Sequence, residues 1–168
     1  MKILTDLLDR VKEAEASLPK MVGEALYGHG EDILELQRVQ LLEGKASSGE
    51  DMRPYYSEDI KPQGHFYSVE SAGRYANWKE SLNYPYSVER NPDAPNLYVN
   101  GRFHSELGVS FGADSVTVTG ETGYAMKIID KYGSEKFGLM REKWTVLFRE
   151  RGVLAEVTEL FKQEVYGN

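Results

Sequence analysis

Asn96-Leu97-Tyr98-Val99-Asn100-Gly101-Arg102-Phe103-His104-Ser105-Glu106-Leu107-Gly108-Val109-Ser110-Phe111-Gly112-Ala113-Asp114-Ser115-Val116-Thr117-Val118-Thr119-Gly120 is the stretch whose reading decides the fold. It predicts strand, tight turn, longer strand, second turn, strand. Asn-Gly at 100–101 is a strong hairpin signal, because a type I′ turn needs positive φ at both central residues. Gly112 to Ser115 supplies a second reversal. Val116 and Val118 alternate with Thr117 and Thr119, the period of a half-buried strand. The chain before this stretch reads as helix and loop, and the chain after it as helix. The expected class is therefore α+β, with a small antiparallel sheet over about residues 97–120 packed with N- and C-terminal helices.

Working outward toward the N-terminus, Ile3, Leu4, Leu7, Leu8 and Val11 share one helical face opposite Asp6, Asp9, Arg10 and Lys12. This helix is expected to fade over residues 13–17, with Pro19 in the first turn of the next. That second helix is expected from about Lys20 to Leu42, interrupted at Gly28-His29-Gly30 and stopped by Gly44. Toward the C-terminus, helices are expected over residues 123–131, 139–149 and 153–166. In the last, Leu154, Val157, Leu160 and Phe161 recur at core-facing spacing. Trp144, Phe148 and Phe161 are assigned to the core.

Residues 45–95 have weak periodicity and recurrent proline, with one short helix expected over Ser71 to Leu82. The segment is nonetheless rich in rings, unlike a disordered linker. Tyr55, Tyr56, Phe66, Tyr67, Trp78, Tyr84 and Tyr86, together with Phe137, form the candidate protein-interface set. Such residues are enriched at interfaces, and they equally pad small cores. The 168 residues are expected to make one domain carrying this long loop.

Composition removes several function classes. There is no cysteine, so disulfide and thiolate chemistry are absent. The net charge of −7 argues against a general grip on nucleic-acid phosphates. No apolar run approaches the length of a membrane span, and Asp6 comes too early for a signal peptide, so a cytoplasmic site of synthesis is expected. His29, His65 and His104 are scattered without ligand spacing, and neither a GxGxxG, a GxxxxGK[ST] nor a GxSxG pattern occurs. No catalytic residue, cofactor or metal is expected.

The order of features resembles the tail-completion, or virion-morphogenesis, proteins at the head–tail junction of tailed bacteriophages and prophages. Ile33 to Glu43 with Gly44 resembles the family's helix and Gly-rich turn. Met52-Arg53-Pro54-Tyr55-Tyr56-Ser57 resembles its P-x-Y-S loop. Leu97 to Phe103 resembles an L-x-x-T-G-x-L/F element, with Asn100 where the family has threonine, and Val109 with Val116-Thr117-Val118 resembles the hairpin after it. Ala125 to Gly133 and Phe137-Gly138-Leu139 resemble its A-x-x-x-x-x-Y-G and F-G-L region. Residues 71–95 are an insert relative to that pattern.

The resemblance implies a non-enzymatic virion protein: a neck or tail subunit, either head–tail connector or tail terminator. It would form a homo-oligomeric ring and touch neighbouring neck, portal or tail-tube proteins, without sequence-specific nucleic-acid or membrane binding. Lys127, Lys131, Lys136, Arg141 and Lys143 would then serve joints between subunits. Two other classes stay open: a small cytoplasmic hydrolase using acidic residues beside the 45–95 loop, and an adaptor binding a peptide through that loop.

Overall fold

The computed structural model describes residues 2–52, 68–92, 94–112 and 115–167. Its described elements are α1 (Lys2–Gly28), α2 (Gly30–Leu42), α3 (Val69–Glu80), α4 (Arg102–Ser105), β1 (Leu107–Phe111), β2 (Val116–Gly120), α5 (Gly123–Tyr132), α6 (Arg141–Arg149) and α7 (Val153–Tyr166). The α+β expectation holds in a mostly helical form. Among the described residues, seven helices accompany one two-stranded antiparallel hairpin, and the N- and C-terminal helices lie against each other.

The central element is α2 rather than the hairpin. Seven of its thirteen residues are buried, so it has no solvent stripe of the usual width. Ile33 and Leu36 face one core, with Ala14, Met21 and Ala25 of α1, Leu147 of α6, and Val153, Val157 and Val165 of α7. Leu34 and Leu41 face a second, with Phe103, Leu107, Val118, Ala125, Ile129 and Phe137. A third, small cluster joins Ala46, Met52 and Ala94.

Two buried glutamines one helical turn apart on α2 tie in the loop before α6. Gln37 Oε1 accepts from the Gly138 N–H at 2.8 Å. Gln40 Nε2 donates to the Gly138 carbonyl at 2.9 Å, and Gln40 Oε1 accepts from the Met140 N–H at 2.8 Å. Side-chain amides thus do for this loop what a neighbouring strand would do, satisfying backbone groups buried away from water.

Two local expectations give way. α1 runs unbroken through Pro19. A proline inside a helix costs about 3 kcal/mol, yet Ala14, Met21 and Ala25 on both sides of it are buried in the α7 core, and that burial holds the helix together. α7 runs antiparallel to α1, since Arg10 reaches the Val165 carbonyl at 3.5 Å while His29 Nε2 lies 3.3 Å from Glu156 Oε2. The expected break at Gly28 to Gly30 is present, and the chain leaves α2 at Gly44 with φ 75°.

The second change concerns residues 97–106. No strand forms at 97–99: Leu97 takes φ 54°, which bends the chain out of extended backbone. Gly101 has the expected positive φ, 81°, but it precedes α4 instead of closing a hairpin. Asn100 Oδ1 accepts the Arg102 N–H at 3.1 Å, an Asx turn that starts the helical turn. The pairing that does form is β1 with β2, Leu107 opposite Gly120, Val109 opposite Val118 and Phe111 opposite Val116.

In α7, Val157 is buried, Leu160 and Phe161 are half-buried, and Leu154 is 52% exposed. Trp144 and Phe148 are likewise half-buried, packed on the rim of the first core. That rim borders an apolar concavity.

Candidate functional site

A groove of about 640 Å³ opens between α1, the hairpin turn and α6. Leu18, Val22 and Leu26 of α1 form one wall, Phe111 and Val116 of the hairpin a second, and Trp144 and Phe148 of α6 a third. The space exists because small residues sit where larger ones would fill it. A Cβ placed on Gly23 meets nothing within 4 Å. The Trp144 and Phe148 rings lie 6.2 Å apart at 50°, and Phe111 packs at 5.3 Å against the exposed ring of Tyr27. Among the described residues lining the groove none is ionisable, and Ser115 carries the single polar side chain, so those described walls hold no charged acid or base. What they can do is receive apolar surface.

A complementary feature lies at the other end of α1. α7 reaches back only as far as Arg10, so the first turns of α1 project beyond it. On this projection Leu4 is 74%, Leu7 40% and Leu8 53% exposed. They are spaced i, i+3, i+4 and form one apolar ridge.

A polar knot under α3 is the other unusual arrangement. Lys79 and His104 are buried. Lys79 Nζ donates to the Tyr98 carbonyl. His104 Nε2 donates to the Asn96 carbonyl at 3.0 Å, and Arg38 Nε donates to the His104 carbonyl at 2.9 Å. Tyr98 stacks edge-on against His104 at 5.4 Å and packs at 5.1 Å on Tyr84, whose ring carries Arg90 at 4.1 Å. Burial, helped by the nearby Arg90 charge, pulls the Lys79 amine down to about 8. Burial likewise pulls His104 down to about 4, against its hydrogen bond to Asn96 and with help from the Lys79 and Arg38 charges. Perturbed groups often mark active sites. Here the adjoining cavity holds only about 20 Å³, room for roughly one water. The knot is therefore a clasp that satisfies the backbone of residues 96–98.

The acidic residues nearest the 45–95 segment line a mixed-charge cleft of about 460 Å³, with Glu50, Asp51 and Glu135 opposite Lys131 and Lys136. Lys45 pairs with Asp51 at 2.7 Å and Asn91 donates to it at 2.9 Å. The Lys45 hydrogen bond holds the Asp51 carboxyl below its ordinary value against the opposing effect of burial, with a lesser contribution from Asn91. A catalytic acid needs the opposite shift. His29 Nδ1 hydrogen-bonds Asp32 at 2.7 Å and its Nε2 lies 3.3 Å from the Glu156 carboxylate, bringing the α1–α2 break against α7. No cluster among the described residues could hold a metal ion, and no described helix is long and apolar enough to cross a membrane.

The candidate aromatics separate. Tyr55, Tyr56, Phe66 and Tyr67 lie outside the described residues. Trp78 is 47% exposed and packs on Tyr75 at 5.5 Å. Tyr84 and Tyr86 are half-buried, with Tyr84 donating to the Lys79 carbonyl. Phe137 is buried in the second core against Phe103, because the two α2 glutamines draw its loop inward. The groove and ridge were not singled out from sequence. The groove's walls come from three distant segments, and the ridge leucines have the spacing of an ordinary core-facing stripe. Comparison of the chain with protein-family models, curated proteins and solved structures finds no match in any of the three.

Proposed function

We propose that this chain is a non-enzymatic structural protein of a tailed-bacteriophage virion, a neck or tail-completion subunit that assembles as a homo-oligomeric ring beside portal or tail-tube neighbours. The family part of this proposal rests on the ordered sequence resemblance. The observation that supports the assembly part is the coexistence on one chain of an apolar ridge and an apolar groove that no described residue covers, with no ionisable described residue lining the groove. Monomeric proteins rarely leave large contiguous apolar patches uncovered. A hydrolase would need a carboxyl with a raised pKa in a cleft, and the acidic cleft offers an Asp51 shifted the other way.

Sedimentation of the purified protein across a wide concentration range, with electron microscopy of the heaviest species, tests the assembly. Closed rings or concentration-dependent oligomers are expected. The genes flanking the coding sequence test the family assignment, with portal or tail-tube genes expected there. A strict monomer whose gene has no virion neighbours would overturn the proposal.

A further inference from the structure

We propose that Asn100 is a self-modification site: the Gly101 nitrogen attacks the Asn100 side-chain amide, ammonia leaves, and the residue becomes aspartate or isoaspartate. Asn100-Gly101 is the one Asn-Gly pair in the chain, and it closes no hairpin. What it does instead is present an uncovered amide beside a glycine nitrogen. Asn100 is exposed and lies in neither helix nor strand. Its Oδ1 accepts the Arg102 N–H at 3.1 Å, so the side chain is folded forward over the Gly101 peptide. That N–H polarises the Cγ carbonyl and points at the oxygen on which negative charge develops when Cγ is attacked, the role of an oxyanion-hole donor. Gly101 takes φ 81° and has no side chain to shield its nitrogen.

The atoms balance through a cyclic imide. The Gly101 nitrogen gives up its proton and bonds to Asn100 Cγ; the Cγ–Nδ2 bond breaks, and Nδ2 leaves as ammonia with that proton. Water then opens the five-membered ring. Attack at Cγ gives aspartate. Attack at the Asn100 main-chain carbonyl carbon gives isoaspartate, whose main chain runs through Cβ and Cγ and is one carbon longer. Asn96 is the built-in comparison. Its Oδ1 accepts the Tyr98 N–H at 3.1 Å, the same kind of turn, but Asn96 is buried from water and precedes a leucine. Asn91 precedes proline, which has no N–H to give up. The two products differ in effect. The Asn96 and Tyr98 carbonyls are held by His104 and Lys79, and Phe103 of α4 is buried in the second core, so the chain is pinned on both sides of Asn100. The extra carbon of isoaspartate has to be absorbed between those points and loosens the clasp. Aspartate keeps Oδ1 in place and leaves the clasp intact.

The test follows the tryptic peptide from Asn91 to Arg102 by mass spectrometry while the purified protein stands in mildly alkaline buffer, native or unfolded in guanidinium chloride. Native Asn100 is expected to convert at least as fast as unfolded Asn100, and faster as pH rises, while native Asn91 and Asn96 keep their amides. Asn100→Gln, which needs a six-membered ring, should lose the signal. An Asn100 amide that persists in the native protein while it is lost from the unfolded chain overturns the proposal, as does equal conversion of native Asn96. The isoaspartate fraction, separated by ion exchange, is expected to unfold at a lower urea concentration than the Asn100→Asp variant. Equal midpoints overturn the loosening of the clasp.

Discussion

Replacing Gln40 by leucine isolates the device that ties α6 to the centre of the fold. The Gln40 amide serves two backbone groups, the Gly138 carbonyl at 2.9 Å and the Met140 N–H at 2.8 Å, and its side chain is fully buried. Leucine matches the apolar surroundings but leaves both backbone groups without that partner. Each buried polar group left unpaired costs about 1–3 kcal/mol, so Gln40→Leu should destabilise the protein by about 2–6 kcal/mol. Gln37→Leu, one turn earlier, is the internal control. Gln37 serves only the Gly138 N–H, and its own Nε2 is buried without a hydrogen-bond partner. Removing it strands one group and removes another, and the expected net loss is about 1 kcal/mol or less. Urea unfolding monitored by tryptophan fluorescence measures both, with Trp144 on α6 reporting directly. Equal losses for the two variants, or a Gln40→Leu loss under about 1 kcal/mol, would refute the idea that these amides stand in for a strand.

The buried clasp predicts an acid-sensitive limb. Folded His104 takes up its proton only near pH 4, whereas the unfolded chain does so near 6.5, so stability should fall by about 3 kcal/mol as pH drops from 6.5 to 4. His104→Gln should flatten that limb in urea titrations, and an unchanged slope would count against the burial argument. Lys79 gives the mirror effect. Its burial penalty of about 3 kcal/mol holds below pH 8 and is relieved as pH rises toward 10.5, and Lys79→Met should remove that alkaline gain. Gly101→Val places a β-branched residue at φ 81°, with its Cβ 3.3 Å from the Tyr98 ring, and should cost about 1–3 kcal/mol; a parental melting temperature would contradict this. On the two C-terminal helices, Leu147→Ala, at a fully buried site, should cost about 2–5 kcal/mol, while Leu154→Ala, at an exposed one, should stay within about 0.5 kcal/mol. Comparable losses would mean that α7 packs in another register.

Sequence alone determined the elements whose signals are local. Gly28 to Gly30 interrupts the N-terminal helices, Gly44 lets the chain leave α2, the 112–115 turn joins β1 to β2, and the spacing of α5, α6 and α7 is legible because each buries one face. Tertiary structure decided the rest wherever one local signal fits two outcomes. Asn100-Gly101 supplies a positive φ in a hairpin and before a helix alike. Here Lys79 and His104 claim the carbonyls of Tyr98 and Asn96, so the backbone before the turn has no need of a partner strand. Pro19 reads as a helix start until α7 packs across both sides of it. Gln37 and Gln40 are polar residue types whose burial depends on the Phe137 to Met140 loop, about a hundred residues away, that uses them. The candidate site follows the same rule. Three segments distant in sequence wall the groove, and the ridge leucines look like any core stripe. What exposes them is that α7 ends before it reaches Leu8, a fact of packing that no local periodicity encodes.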